Sequence, residues 1–398
     1  MLVSLALVFL MGLLMSSISQ YLKLPRIVGM LITGIVLGPY MLNVLDESIL
    51  LISSDLRKMA LVIILIKAGL SLDIGALKKV GRPAFAMSFI PATFEIIAYT
   101  LIAPSVFKIS ALEGAIMGTV LGAVSPAVVV PKMVELMEDG YGNKKGIPQL
   151  ILAGASLDDI YVILLFTTFL RVSSGEGFSI LNMSSLPLSI ILGVGLGILA
   201  GCILYYIFEW RYFKHSYIRN STKVIIILGV SFLFVAMEDL LKDGVPFSGY
   251  LAVISMACTI QFKSSEIVKN RLGEKFGKLW IAAELILFVL VGAAVDIRYA
   301  VEGGIYSVFM IFIALFFRSL GVSLALVGTK LNAKERIFCV IAYLPKATVQ
   351  AAIGSIPLSM GLACGKLVLS VAVTAILITA PLGALGMESS YKKLLEKD

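Results

Sequence analysis

Long apolar stretches run through almost the whole chain and make a lipid bilayer the solvent in which it must fold. Of its 398 residues, 59% are hydrophobic and only 15% are charged, whereas soluble domains carry about 25% charged residues. A membrane-spanning helix needs about 20 apolar residues in succession. Thirteen such segments are predicted, at residues 2–20, 25–42, 58–74, 83–104, 110–136, 148–170, 187–210, 222–240, 246–262, 279–298, 304–329, 335–360 and 365–387. The sequence therefore predicts an all-α polytopic membrane protein with about 13 transmembrane helices.

Basic residues alternate in number from one loop to the next. Loops and span ends on one side hold 23 of them, those on the other side hold seven, and three lie within spans. Because loops rich in Lys and Arg stay on the cytoplasmic side, we expect an external N-terminus, a cytoplasmic C-terminus and insertion in the cell (inner) membrane. The net charge of +8 belongs to these loops, so membrane lipids are expected as partners and nucleic acid is not. Residues 263–279 are expected to form a basic amphipathic stretch on the cytoplasmic surface.

Several residue types are not expected to carry chemistry. One His and four separated Cys exclude a thiolate or His-rich metal site, and no bound cofactor is expected. The aromatic residues are assigned to the membrane interfaces and to surfaces that face lipid.

Three short motifs recur in the same order at offsets of 219 to 223 residues. The offsets pair the first six spans (1–186) with the last six (222–398) around a linking helix at 187–221, which places the second copy upside down in the membrane. Inverted repeats are typical of secondary transporters, whose binding site lies near the midplane. The pairs are Gly69–Ile74 with Gly292–Ile297, Pro25–Gly29 with Pro246–Gly249, and Pro126–Val130 with Pro345–Val349.

Prolines interrupt the fifth and twelfth spans, within Gly122–Pro131 and Leu344–Gly354. Proline removes a backbone donor and frees backbone groups in the preceding turn, and irregular backbone at this depth must be buried in protein or line a cavity. Because the two positions are related by the repeat, we expect broken helices whose half-helix ends line an ion site that includes Ser125 and Thr348. Lys346 is expected to neutralise the negative C-terminal ends of the half-helices.

Asp158 and Asp159 lie side by side near the middle of the sixth span. One charge at the bilayer centre costs roughly 2.5–3.5 kcal/mol, so two point to a function. Neighbours on a helix point about 100° apart, so both can border one cavity without facing each other. A proton and a metal cation then compete for the same oxygens, and carboxylates without His or Cys suit Na⁺, Li⁺ or K⁺. The alternative is an acid pair bridged to Lys or Arg for helix assembly.

Further charges lie alone within spans. Glu95 and Arg318 are 223 residues apart, which matches the repeat, and we favour a buried ion pair between them over direct ion ligation. Lys67 precedes Asp73 by less than two turns and either extends to the interface or acts with Asp73 as a gate. Glu284 lines a cavity or lies near the interface, and the sequence does not decide between these positions.

Together these motifs resemble the monovalent cation:proton antiporters, and the NHA-type Na⁺(Li⁺)/H⁺ antiporter subgroup in particular. The resemblance implies two crossed broken helices and a core domain of spans 4–6 and 11–13. It also implies a dimerisation domain of spans 1–3 and 7–10, and a homodimer. It implies that Asp159 is the ion- and proton-binding carboxylate, that Asp158 is its companion, and that Glu95 and Arg318 form the subgroup's buried pair. The motifs that carry it are Ile64–Asp73, Pro91–Glu95, Gly122–Pro131, Ser156–Asp159, Arg318, Pro345–Gln350 and Ile378–Pro381.

The resemblance implies a transporter and not an enzyme. The expected activity is exchange of cytoplasmic Na⁺ or Li⁺ for external H⁺ by elevator-type alternating access. The alternative is a potassium/proton exchanger or K⁺ efflux system of the same superfamily. The chain departs from the subgroup at Lys67, where Arg is expected. Arg318 stands where many relatives with an Asp-Asp pair have a Lys, which leaves the proton stoichiometry open.

Overall fold

The computed structural model of the protein describes residues 1–22, 24–71, 81–173, 185–213, 218–240, 247–296 and 304–397, and helices dominate them. In chain order these helices are α1 (Leu2–Tyr21), α2 (Arg26–Leu37), α3 (Glu47–Leu51), α4 (Ser53–Ser71), α5 (Arg82–Phe107), α6 (Ala111–Leu121), α7 (Pro126–Glu138), α8 (Ile147–Ser173), α9 (Ser185–Phe213), α10 (Asn220–Leu240), α11 (Gly249–Lys263), α12 (Glu266–Ala293), α13 (Gly304–Ala325), α14 (Ala333–Ala342), α15 (Thr348–Ile353), α16 (Ile356–Ser359) and α17 (Gly365–Leu394).

The all-α polytopic fold is confirmed. Each of the thirteen predicted spans coincides with a helix or a pair of half-helices. Within the described residues, nine of these segments are long and apolar enough to cross a membrane by length and composition. The third predicted span starts earlier than expected, because α4 begins at Ser53 and is preceded by the short helix α3.

Most of the basic amphipathic stretch predicted at 263–279 forms the first part of α12, which continues without a break into the tenth predicted span and runs from Glu266 to Ala293. Its apolar residues Val268, Leu272 and Phe276 recur every four positions and are buried. The i,i+4 pair Glu274–Lys278 joins side chains on the outer face at 2.6 Å. This apolar stripe is therefore covered by protein, while the position of the stretch at the cytoplasmic surface stays a prediction.

Both predicted helix breaks are present. The first lies between α6, which ends at Leu121, and α7, which starts with Pro126. Proline suits the first position of a helix because its missing N–H would have no partner within the helix. The second separates α14 from α15. The two breaks meet: the amide of Ser125 donates to the carbonyl of Pro345 over 2.8 Å. Backbone groups freed by one break are thus satisfied by the other.

Gln350 adds further hydrogen bonds to the contact between the two breaks. Its Nε2 donates to the carbonyl of Ala123 over 2.8 Å, and its Oε1 accepts from the amide of Ala347 over 2.7 Å. The amide of Lys346 donates to Oγ1 of Thr379 on α17 over 2.9 Å. These bonds fix the second break against both the first break and α17.

The chain divides into two compact units. One comprises Met1–Arg57, Asp73–Phe169 and Leu285–Asp398, and the other comprises Lys58–Leu72 and Leu170–Glu284. In the first unit α13 packs along α5, α5 packs on α6, and α17 packs on α14. In the second, α9 packs closely on α11 because Gly197 has no side chain to hold it off the Ala252 carbonyl. The predicted core spans lie in the first unit, and the division into a core and a dimerisation domain stays a prediction.

At one end of the first unit, the segment Tyr391–Lys397 and the loop 139–146 form what we call the C-terminal clasp. The amide of Gly142 donates to the carbonyl of Glu396 over 2.9 Å. Nearby, Nζ of Lys145 lies 2.8 Å from the carboxylate of Glu335, which also caps α14 through the Asn332 backbone. Glu335 is only 1% exposed, so Lys145 neutralises a carboxylate that water barely reaches.

Replacing Lys145 with Met is expected to lower the Tm of the purified protein by roughly 2–4 °C, because the buried carboxylate of Glu335 loses its cation. The hydrogen bond from Lys145 to Glu335 raises the pKa of Lys145 above its ordinary value. This contribution to stability is therefore present throughout neutral pH and is lost only above about pH 10.4, the ordinary lysine pKa. Thermal unfolding in detergent measures the effect.

Lys334→Met provides the matched control, because this exposed lysine lies one residue before Glu335 and carries the same change in charge. The double variant K145M/E335Q should recover part of the loss, since it removes the uncompensated charge. Equal Tm values for K145M and K334M would contradict the assigned role of Lys145.

Candidate functional site

The sixth predicted span is the helix α8, and it presents its two adjacent acids differently. Asp158 is fully buried, and its Oδ2 accepts hydrogen bonds from the amide of Val124 over 2.7 Å and from Arg318 over 3.0 Å. Val124 lies in the first helix break, where no helical carbonyl takes its N–H. Asp158 therefore joins α8 to the break through a charge-assisted hydrogen bond.

Arg318, on α13, is fully buried and connects most of the site. Its NH1 lies 2.8 Å from Oε2 of Glu95 on α5, and its NH2 lies 3.0 Å from Asp158. Its Nε donates to the carbonyl of Tyr343 over 2.6 Å, and its NH1 also donates to the carbonyl of Gly122. The structure thus brings Glu95 and Arg318 together as an ion pair. Arg318 also satisfies carbonyls at the C-terminal ends of α6 and α14.

Lys346 lies in the second break and differs from the sequence expectation. Its Nζ lies 2.5 Å from Oε2 of Glu95, whereas the half-helix carbonyls that it was expected to neutralise receive their donors from Arg318. The physical reason is reach, because the forked guanidinium serves two carboxylates and two carbonyls at once and the ammonium is a point charge.

Glu95, Asp158, Arg318 and Lys346 form what we call the charge cluster. It contains two acids and two bases, all with side chains 2% exposed or less. Burying a charge is tolerated only when it is paired and hydrogen-bonded. The cluster meets that requirement within itself and carries no net charge.

Asp159 is not a member of the charge cluster. It is 7% exposed, and its Oδ1 has no hydrogen-bond partner among the residues that the structure describes. Within the same residues its carboxylate takes part in none of the ion pairs that hold the charge cluster. Burying an ionised carboxylate without a paired cation costs roughly several kcal/mol. It is therefore suited to bind a small cation or a proton.

Hydroxyl groups at the two breaks share this unpartnered state. Ser125 immediately precedes α7, and Thr348 is the first residue of α15, so each lies at the N-terminal end of a second half-helix. Both hydroxyls are buried without a hydrogen-bond partner in the described part of the chain. Carboxylate and hydroxyl oxygens form the hard donor set that suits an alkali cation.

The remaining predicted residues lie elsewhere. Lys67, on α4 in the second compact unit, is half-buried, with Nζ 5.7 Å from the ring centroid of Trp280. Glu284 is half-buried on α12. Asp73 lies outside the described residues, so its proposed gate role stays a prediction.

Tyr343 is the site residue that sequence reasoning missed. Its side chain is fully buried beside Arg318, with the ring centroid 5.6 Å from the guanidinium carbon. The assignment of aromatic residues to interfaces and lipid-facing surfaces was therefore wrong for Tyr343, and also for the buried Tyr99. The available signal was its position, two residues before the helix-breaking Pro345.

Broken helices that meet at a buried, balanced charge cluster, beside a carboxylate that forms no ion pair with the described residues, are typical of ion-coupled secondary transporters. The chain belongs to the sodium/hydrogen exchanger family, because the family model for transmembrane sodium/hydrogen exchangers matches residues 5–388. The general activity of this family is sodium/proton antiport, and its members are transporters. The resemblance to monovalent cation:proton antiporters is confirmed.

Two human relatives and one solved structure illustrate the similarity. The chain is 36% identical over 394 residues to sodium/hydrogen exchanger 9B2 of Homo sapiens, covering 94% of this chain and 70% of that protein. It is 36% identical over 357 residues to sodium/hydrogen exchanger 9B1 of Homo sapiens, covering 87% and 67%. The sodium proton antiporter MjNhaP1 from Methanocaldococcus jannaschii matches with a TM-score of 0.81 at 22% identity, over 98% of this chain and 97% of that chain. The last comparison shows a shared fold.

Proposed function

We propose that this protein exchanges cytoplasmic Na⁺ or Li⁺ for external H⁺ at a site formed by Asp159 and Asp158, with Ser125 and Thr348 beside it. Asp159 binds either the cation or a proton. Asp158 shapes the site while its charge is balanced by Arg318. The observation that carries the proposal is the buried carboxylate of Asp159, whose Oδ1 has no hydrogen-bond partner among the described residues, next to a charge cluster that is already neutral.

Competition at one carboxylate is sufficient for antiport. When Asp159 is ionised, the site gains an uncompensated negative charge in a low dielectric, and that charge is neutralised by Na⁺ or by H⁺. The two ligands need the same oxygens and exclude each other. The site therefore crosses the membrane loaded with one or the other, and a proton gradient drives the cation the opposite way.

Elevator-type alternating access is supported by how the charge cluster connects its helices. Glu95 on α5, Asp158 on α8 and Arg318 on α13 are joined by ion pairs of 2.8 and 3.0 Å, and the same arginine bonds to both breaks. These elements are expected to move as one body that carries the ion. Lys67 and Asp73 are proposed to act as a gate, and the functional assembly is proposed to be a homodimer in the cell (inner) membrane. Its N-terminus lies outside and its C-terminus in the cytoplasm.

Purified protein in proteoliposomes with an imposed pH gradient tests the proposal. Addition of Na⁺ or Li⁺ should dissipate the gradient, and K⁺ should not. Dissipation by K⁺ at lower concentration than Na⁺ would favour the potassium/proton exchanger instead. No cation-dependent proton flux in oriented, folded protein would refute antiport.

We expect one cation to exchange for one proton, so that transport is insensitive to membrane potential. The positive partner of Asp158 is an arginine, which does not release its proton, so one carboxylate remains to exchange its charge. Moving a net charge is worth about 2.3 kcal/mol per 100 mV, which makes the measurement sensitive. The Na⁺-dependent rate should be equal with the potential clamped at zero and at either sign. A rate that rises steeply with potential would contradict this and would point to a second titrating group, with Lys346 as the first candidate to replace.

A further inference from the structure

Tyr343 is held rigidly at the C-terminal end of α14, where the second break begins. Its carbonyl accepts a 2.6 Å hydrogen bond from Nε of Arg318, and its ring lies beside the same guanidinium. The side chain is fully buried. Its hydroxyl has no hydrogen-bond partner among the described residues.

The hydroxyl of Tyr343 rests against Gly154 on α8. A Cβ at position 154 would collide with this oxygen, so only glycine admits it there. Gly154 precedes Asp158 by four residues, which is one helical turn. Side chains on a helix lean toward its N-terminus and over the preceding turn. The carboxylate of Asp158 therefore leans toward the turn on which the Tyr343 hydroxyl rests.

Asp158 also has a carboxylate oxygen without a hydrogen-bond partner among the described residues. Its Oδ2 takes both hydrogen bonds, from Val124 and Arg318, whereas its Oδ1 is buried and unpartnered among the described residues. A buried polar atom without a partner costs about 1–3 kcal/mol. A phenylalanine at 343 would keep the ring contact with Arg318 without that cost. Two such oxygens bordering one helical turn therefore point to a shared ligand.

We propose that Tyr343 belongs to the ion site and that its hydroxyl gives the transported cation a neutral oxygen beside Oδ1 of Asp158. This rests on the proposed binding of the cation at the acid pair. The number and spacing of oxygens around a cation set its selectivity. A hydroxyl fixed between Gly154 and the Arg318 stack therefore helps to discriminate Na⁺ from Li⁺.

Tyr343→Phe and Gly154→Ala test this role from both sides of the contact. The first removes the oxygen and keeps the ring, and the second places a methyl group where the oxygen rests while leaving Tyr343 present. In proteoliposomes, each should raise the apparent KM for Na⁺ by roughly three- to thirtyfold, with little change in Vmax. The ratio of the KM values for Na⁺ and Li⁺ should change in the same direction in both variants.

Tyr391→Phe is the matched control, because Tyr391 is a buried tyrosine at the C-terminal clasp and not at the acid pair. It should leave both KM values at wild type. If Y343F also keeps wild-type KM values and ratio, the inference fails. If it lowers only Vmax and Tm, Tyr343 is structural and the inference fails again. An equal rise in both KM values would keep the ligand role and overturn the role in selectivity.

Asp159→Asn separates this inference from the function on which it rests. Full exchange by D159N would overturn the proposed function itself. Loss of exchange in D159N together with wild-type behaviour of Y343F would overturn only the role of Tyr343. Y343F removes a single oxygen, so it remains informative even if G154A does not fold.

Discussion

Replacing Asp159 with Asn is expected to reduce Na⁺/H⁺ exchange to the background of protein-free liposomes while the protein stays folded. Asparagine matches the shape of aspartate but cannot ionise, so it can neither exchange a proton nor neutralise the charge of a bound cation. Asp159 makes no ion pair with the described residues, so its loss leaves no charge uncompensated. The Tm of the detergent-purified variant should stay within roughly 2–4 °C of wild type.

Asp158→Asn is the informative contrast for this prediction. Asp158 accepts from Arg318 and from the amide of Val124, so the neutral amide leaves the charge cluster with one positive charge too many. We expect D158N to lower Tm as well as transport, whereas D159N lowers transport alone. Normal exchange by D159N would overturn the proposed function, whatever the behaviour of D158N.

The spans and the breaks could be predicted from the sequence because the membrane imposes simple constraints on both. Apolar length places the helices, and prolines in spans free backbone groups that must find partners. The Glu95–Arg318 pair could also be predicted, because isolated opposite charges within spans must be compensated and the spacing of 223 residues matched the repeat. These predictions depend only on the identity of single residues and on their positions within the predicted spans, both of which can be read from the sequence.

The hydrogen-bond and ion-pair partners within the site could not be predicted from the sequence in the same way. Lys346 and Arg318 are both basic and both near a break, and only the course of the chain decides that the arginine reaches Gly122 and Tyr343 while the lysine reaches Glu95. The burial of Tyr343 depends on Gly154, 189 residues earlier in the sequence. The continuity of α12 depends on which surface covers its apolar stripe. Each of these features depends on tertiary contacts, and the local sequence is compatible with more than one of them.

Replacing Arg318 with Met is expected to destabilise the first compact unit by about 3–5 kcal/mol, the usual effect of removing one partner from a buried ion pair. Methionine fills much of the same volume but leaves the charge of Asp158 uncompensated and the carbonyls of Gly122 and Tyr343 without a donor. Both breaks lose the group that ties them to α13. Transport should be abolished, and the Tm in detergent should fall well below that of D159N.

Arg318→Lys separates charge from geometry in the same position. It keeps the positive charge, but an ammonium cannot serve two carboxylates and two carbonyls from one planar fork. Its stability should therefore lie between those of wild type and R318M, with transport impaired. The double variant E95Q/R318M should lose less stability than the two single losses combined, because the two residues form one unit. Additive losses would show that Glu95 and Arg318 do not act as one unit. An R318M protein as stable and active as wild type would show that the breaks are held by their contact at Ser125 and Pro345 without the arginine.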